Sequence, residues 1–303
     1  MNNMRNSLLF LLIVLCTICN TYSQSKRNVT NIHVLTSDSV SLFVNKAGKG
    51  TPCIFVHGGP GAWSKSFEEM RGSVVEQKLT MYYFDQRGCG RSASPANNDY
   101  SPERMVEDIE TIRKQTGENK VYLIAHSFGG ILALKYAEEH PEHVKGLIML
   151  NATLYVDNSL LNQIAFINKT LGSHIVAPGD SVLQAFIEAK KQLRKADLEY
   201  KILSNNKAAV DKLDSVDNSE QRNNSFAQHV FAMPIYWGDL TKETIKVKVP
   251  VLVITGTKDN NIGPEHYKLF KFPNQQVKVI EGGHILYYEK NKEFAEAVFN
   301  FVK

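Results

Sequence analysis

A chain of 303 residues with 43% hydrophobic and 22% charged side chains has the means to bury a large core, which excludes disordered and collagen-like architectures. Its 35 lysines and arginines against 31 acids leave a formal charge of +4, and no basic run is present, so a nucleic-acid partner is excluded. Four cysteines in this length are too few for a disulfide scaffold.

The N-terminus reads as an address. Arg5 precedes a 12-residue apolar run, residues 8–19 (LLFLLIVLCTIC). A bilayer span needs roughly 20 apolar residues, so this run suits a secretory signal better than a membrane helix. Thr21 and Ser23 place small residues before a cleavage site at Ser23-Gln24. A retained anchor is the alternative. Neither Cys16 nor Cys19 follows the small residue that lipidation prefers. Residues 1–23 are therefore expected to be removed, leaving a secreted or periplasmic chain with no stable membrane insertion. Cys53 and Cys89 remain, as free thiols or one bridge. No Cys/His spacing of a zinc site exists, and no cofactor or metal is expected.

Residues 32–44 alternate around Asp38-Ser39 and read as a hairpin. Residues 53–57 (CIFVH), 79–84 (LTMYYF), 121–125 (VYLIA) and 144–150 are short apolar strands. Ser101-Pro102-Glu103 reads as a helix start with the hydroxyl as cap, followed by Met105, Ile109 and Ile112 on one face. A second helix spans 129–140 and is closed by Pro141. Late in the chain come a strand at 249–255, a helix at 264–272, a strand at 277–280 and a helix at 290–302. Strands that are apolar throughout are buried on both faces, so the fold is α/β, with a mainly parallel sheet covered by helices. Residues 152–246 break the rhythm. They read as a helical cap between two parts of a core (24–151 and 247–303), with Leu183, Phe186, Ile187 and Leu193 as one apolar stripe. Ligands bind at the carboxyl ends of such strands, so the cap is expected to act as a lid.

Ala125-His126-Ser127-Phe128-Gly129-Gly130 joins a strand to a helix. Small residues at Ala125 and Gly129 relieve the crowding of that turn and leave Ser127 projecting, the geometry of a nucleophile elbow. His126 is expected to point the other way, and His140 and His143 to be solvated. A serine hydroxyl needs a base. His284, after a strand and two glycines, is the candidate. The imidazole needs a carboxylate. Asn151, ending the strand after the elbow helix, carries no charge. Asp259 lies at a later strand end and precedes His284 by 25 residues. The backbone N–H groups of Phe128 and Gly59, the latter in His57-Gly58-Gly59-Pro60-Gly61, are the candidate oxyanion donors. Asp85, Arg87 and Arg91 read as structural ion pairs. Asn28, Asn168 and Asn223 begin tripeptides of the N-glycosylation pattern.

The motifs HGGPG (57–61) and DQRGCGRS (85–92), with the elbow around Ser127, resemble the α/β-hydrolase superfamily and within it the proline iminopeptidase group. The resemblance covers the core on both sides of the cap. It implies Ser127 as nucleophile, His284 as base, Asp259 as acid, Gly59 and Phe128 as oxyanion donors, and release of an N-terminal residue, often proline, from short peptides. Two departures stand out. The elbow carries Ala-His-Ser-Phe-Gly where the group usually has Gly-Gly-Ser-Trp-Gly, and the amine-binding carboxylate is not evident among cap acids such as Glu188, Glu199, Glu220 and Glu243. The leading expectation is thus an aminopeptidase acting on a small-molecule or short-peptide substrate. A carboxylesterase is the alternative, and a non-catalytic binding protein on a hydrolase scaffold a third reading. A serine at the elbow disfavours relatives of this fold that use an aspartate nucleophile.

Overall fold

The computed structural model describes residues 27–176 and 181–302. The expected signal, residues 1–23, lies outside them. Eight strands form one sheet: β1 (Val29–Leu35), β2 (Ser41–Gly48), β3 (Thr51–Val56), β4 (Leu79–Phe84), β5 (Val121–His126), β6 (Val144–Leu150), β7 (Val251–Gly256) and β8 (Gln275–Ile280), in the order β1-β2-β4-β3-β5-β6-β7-β8. β1 and β2 form the expected hairpin, and β2 also runs antiparallel to β4. Every other pairing is parallel.

Alternation along the central strands explains their unbroken apolar sequence. Ile54, Val56, Leu123, Ala125, Leu147 and Met149 belong to a core on one face. Cys53, Phe55, Tyr122, Ile124, Ile148 and Leu150 belong to a core on the other. The first face is covered by α2 (Pro102–Thr116) and α3 (Gly129–Glu139), the second by α1 (Ser64–Glu69) and the C-terminal pair α8 (Leu286–Glu289) and α9 (Asn291–Phe301). From β3 the chain crosses to β4 on one side, then returns past β3 to β5. That reversal opens a crevice at the carboxyl ends of β3 and β5.

Between β6 and β7 lie α4 (Val156–Leu171), α5 (Val182–Lys195), α6 (Lys207–Asp217) and α7 (Ser225–Val230). α4 and α5 share a small core of their own: Ile164, Ile167, Ala185, Ala189, Leu193 and Ile202. The buried stripe of α5 therefore runs through Ala185, Ala189 and Leu193 at a spacing of four, while Ile187 is 57% exposed. Of the expected stripe, Leu193 is in this core and Phe186 packs against it, whereas Ile187 faces outward and the small Ala185 and Ala189 take the contact with α4. Two other expectations change. Ser101 stands at the N-cap of α2, but its hydroxyl donates to Asp99 at 2.7 Å instead of accepting from the helix. Residues 264–272 form only a 3-10 turn, His266–Leu269. No helix among the described residues is long and apolar enough to cross a membrane.

The DQRGCGRS loop fastens these parts together. Arg87 is fully buried and donates to Asp108 of α2 (2.7 and 2.6 Å) and to Asp38 of the hairpin turn (2.8 and 3.1 Å). Asp85 accepts from Ser64 and Arg91. Burial works against its charge, but the Arg91 hydrogen bond and charge prevail and hold the carboxyl below the usual range. Gly90 and Asn223 exchange backbone hydrogen bonds of 2.9 and 2.7 Å, tying the end of the helical insertion to the core. Removing one member of a buried charged set leaves its partners uncompensated, at a cost of about 3–5 kcal/mol. Arg87→Met is therefore expected to lower unfolding free energy by about that amount in urea titration. A change under about 1 kcal/mol would show that the guanidinium is not a structural tie.

Candidate active site

The loop after β3 is fixed by its own histidine. Gln86 N–H donates to His57 Nε2 at 2.9 Å, so the ring proton sits on Nδ1, which lies 2.9 Å from Gly58 O. Burial keeps this imidazole below its ordinary pKa. The Gly59 N–H, in a backbone with φ +121°, makes no hydrogen bond to another described residue, and Gly59 lines the cavity described below. The Phe128 N–H, at the mouth of α3, is likewise unbonded among the described residues.

Ser127 stands between the end of β5 and the start of α3, with φ +53°. A non-glycine residue in this left-handed region is strained and needs its surroundings to hold it. They do so: Ser127 N–H donates to Leu150 O (3.2 Å), and its carbonyl accepts from Gly130 (3.0 Å) and Thr153 (3.1 Å). Two glycines admit the turn. A Cβ on Gly129 would lie 2.3 Å from Val56 O, and one on Gly58 would lie 2.7 Å from the Ser127 Cβ. Ser127 is 5% exposed, and its Oγ makes no hydrogen bond among the described residues.

The candidate base and acid come from adjacent strand ends. Asp259, on the loop after β7, is fully buried and accepts at Oδ2 from His284 Nδ1 at 2.9 Å. Its Oδ1 accepts from the N–H groups of Asn261 (3.0 Å) and Ile262 (3.2 Å), so both oxygens are used. His284, after β8, donates its N–H to Leu203 O of the helical insertion at 2.7 Å. Glu289 accepts from Gly283 N–H at 2.6 Å and from the Ser204 hydroxyl, a second tie between that insertion and the histidine loop.

Sequence reasoning passed over Asn151 because it is uncharged. In the structure it brackets both loops. Nδ2 donates to Gly283 O (2.9 Å) and His284 O (2.8 Å), and Oδ1 accepts from Gly256 N–H (3.0 Å). A polar residue ending an otherwise apolar buried strand was the available signal.

Ser127 and His284 face one cavity of about 230 Å³, walled by Phe55, Trp63, Phe67, Leu213, Ile285 and Tyr287 among others. They are not hydrogen-bonded to each other. The His284 Nε2 is instead 3.1 Å from the Asn261 amide Nδ2. The expectation for His126 is overturned: its ring lies 4.7 Å from that of His284, and it lines the cavity. As the residue after Ala125, it points to the opposite sheet face, where Tyr287 and the His284 loop lie. Burial first, then the neighbouring His284, push the His126 pKa down to about 3. Of the named cap acids, Glu188, Glu199, Glu220 and Glu243 all pair with lysine or arginine outside this cavity. The acid among the described lining residues is Asp217 of α6, which accepts from Trp63 Nε1 (2.9 Å) and Ser66 and lies 3.6 Å from Arg222.

Among the described residues, one trio could present metal-ligand atoms together: Glu110, His140 and His143, within 4.8 Å of one another. The Glu110 carboxylate is already taken by both arms of Arg113 (2.8 and 2.7 Å) and by the Tyr136 hydroxyl (2.8 Å), which makes the cluster a structural ion pair. His143, expected to be solvated, reaches Glu110 at 3.2 Å.

Residues 51–291 match the family model described as the alpha/beta hydrolase fold, and the chain belongs to that family. It is similar to a proline iminopeptidase of Neisseria meningitidis, 43% identical over 101 residues; that match covers 33% of this chain and about a third (32%) of the relative. A longer match, to a proline iminopeptidase of Thermoplasma volcanium, is 26% identical over 264 residues and covers 82% of this chain and 87% of the relative. The solved structure of a proline iminopeptidase-related protein from Thermus thermophilus shares the fold, with a TM-score of 0.75 at 20% identity over 91% of this chain and 97% of its own.

The buried histidines carry a consequence for stability. His57, His126 and His266 are all held neutral by burial, His266 at about 4. In the unfolded chain each protonates near 6.5, so below that pH the unfolded state binds more protons and stability falls. The loss begins near pH 6.5 and grows toward the depressed values of about 3 and about 4. His126 and His266 each cost about 2 kcal/mol at pH 5, and His57 adds in the same direction. Urea unfolding at pH 7 and pH 5 is expected to show a drop of at least that size, and equal stability would contradict neutral burial.

Proposed function

We propose that the chain is a serine hydrolase working through an acyl-enzyme, and that its substrates are short peptides or amides from which an N-terminal residue is released. The observation that carries this reading is the convergence, on one cavity, of an unbonded serine at a strained elbow, an imidazole paired with a buried carboxylate, and Gly59 with its unbonded N–H; the unbonded Phe128 N–H directly follows the serine in the chain. Ser127 Oγ attacks the carbonyl carbon while His284 Nε2 takes the hydroxyl proton. Asp259 keeps the imidazole oriented and offsets its charge. The N–H groups of Gly59 and Phe128 receive the oxyanion, helped by the positive end of α3. His284 returns the proton to the leaving amine, and water then repeats the attack on the acyl group.

The aminopeptidase reading draws on the proline iminopeptidase relatives and on the cavity itself. Its walls are largely apolar and suit a small ring or aliphatic side chain, and Asp217 offers a counter-charge to a substrate ammonium. One observation favours the esterase reading: Asp217 already has Trp63, Ser66 and Arg222 as partners. With residues 1–23 as a secretory signal, this hydrolysis would take place in the periplasm or outside the cell.

Ser127→Ala is expected to lower kcat by ~10⁴-fold or more with KM little changed; a variant that retains full activity removes the proposed nucleophile. Chromogenic proline, alanine and leucine amides, their N-acetyl forms and a short-chain ester separate the two substrate readings. Acetylation is expected to lower kcat/KM for the amides about 100-fold, because a charged group loses its partner. Asp217→Asn should act on the free-amine substrates in the same direction and leave the ester unaffected. Indifference to the amine, with the ester preferred, would establish the esterase instead.

A further inference from the structure

The acceptor nitrogen of His284 is occupied by a residue outside the serine, histidine and aspartate set. A carboxylate only accepts, so the 2.9 Å contact with Asp259 puts the imidazole proton on Nδ1. The neutral ring then presents a lone pair at Nε2, and the Asn261 amide donates to it across 3.1 Å. One lone pair takes one strong hydrogen bond. The Ser127 proton needs the same lone pair.

Asn261 is anchored by its backbone and free in its side chain. Its N–H donates to Asp259 Oδ1 (3.0 Å) and its carbonyl accepts from Gln163 Nε2 (2.8 Å), so the amide can turn without unmaking the loop. It also stands in a wall. Asn261 and Leu203 line both the catalytic cavity and a second cavity of about 420 Å³ that is bounded by α5 and α6 and carries polar groups such as Asp197, Tyr200 and Asp214. Turned that way, the amide has room and polar company.

We infer that Asn261 is a positioning residue that holds Nε2 of His284 in the substrate-free enzyme and yields it to Ser127 when the cavity fills, a role resting on the assignment of Ser127 and His284 proposed above. The amide donates only to an unprotonated nitrogen, so it stabilises the neutral ring and opposes its protonation. Without the donor, protonation is easier and the acid limb of the reaction moves to higher pH. The other titratable groups facing the ring are Asp259 from the β7 loop, His126 from β5, Asp217 from α6, and His57 and Tyr287 in the cavity wall. Replacing Asn261 changes the identity of none of them.

A fluorophosphonate tests this without knowledge of the substrate. Ser127 Oγ forms a bond to phosphorus, the P–F bond breaks, fluoride leaves, and the hydroxyl proton passes to His284 Nε2. The inactivation rate constant is measured against pH for the wild type, Asn261→Ala and the near-isosteric Asn261→Leu. Both variants are expected to move the acid limb upward by about 0.4–1 pH unit, the worth of one hydrogen bond. The nitrogen-15 resonance of His284 Nε2, assigned by its absence in His284→Ala, is expected to shift in both variants, a readout independent of turnover. A limb that stays in place or moves to lower pH overturns the role, as does an unmoved resonance. Labelling of Ser127→Ala, or a wild type that is not labelled, removes the assignment of the nucleophile and the role of Asn261 together.

Discussion

A single backbone constraint organises this molecule. The chain must turn from a buried strand into a helix within two residues, at the point where the sheet reverses its direction of growth. Ser127 absorbs that turn by adopting a left-handed backbone, held by Leu150, Gly130 and Thr153 and admitted by the missing side chains of Gly58 and Gly129. The strain is held by neighbouring strands whose own burial would have to be undone to relieve it. One result is a hydroxyl with no partner among the described residues, facing a cavity that Gly59 also lines, with the idle Phe128 N–H next to it in the chain.

The remaining machinery is brought to that point by polar ties. Asn151 links the ends of β6 and β7 to the histidine loop. Leu203 and Ser204, from the helical insertion, grip the same loop through His284 N–H and Glu289. Asn260 Nδ2 donates to Lys201 O of that insertion at 3.0 Å, so the acid's loop is held from the same side. The insertion therefore does more than wall the cavity. It is hydrogen-bonded to both loops that carry the candidate base and acid, so a movement of one bears on the other.

Much of this was legible in the sequence, because the features concerned are steric and periodic. Unbroken apolar runs announced the buried parallel strands, glycines announced the elbow and the loop after β3, and Asp259 and His284 stood at strand ends where chemistry collects. What could not be read depended on partners distant in sequence. The Ser101 hydroxyl found Asp99 rather than the helix behind it. Residues 264–272 bury only His266, Phe270 and Phe272 among the larger groups, too few to stabilise a full helix. His126 required the face of the sheet to be known. Asn151 left only the trace of a polar residue closing an apolar strand, and Asn261 carries neither charge nor periodic signal. Their importance lies in which atoms they meet.

The central claim is that Ser127 forms the bond to the substrate's acyl group. Mass-spectrometric peptide mapping of the enzyme, acid-quenched during turnover of p-nitrophenyl acetate, reads this directly. The account predicts one acetyl group on the peptide that contains Ser127, lost again on return to neutral pH. Turnover with the acetyl group on a different residue, or with no acylated species at all, would contradict it.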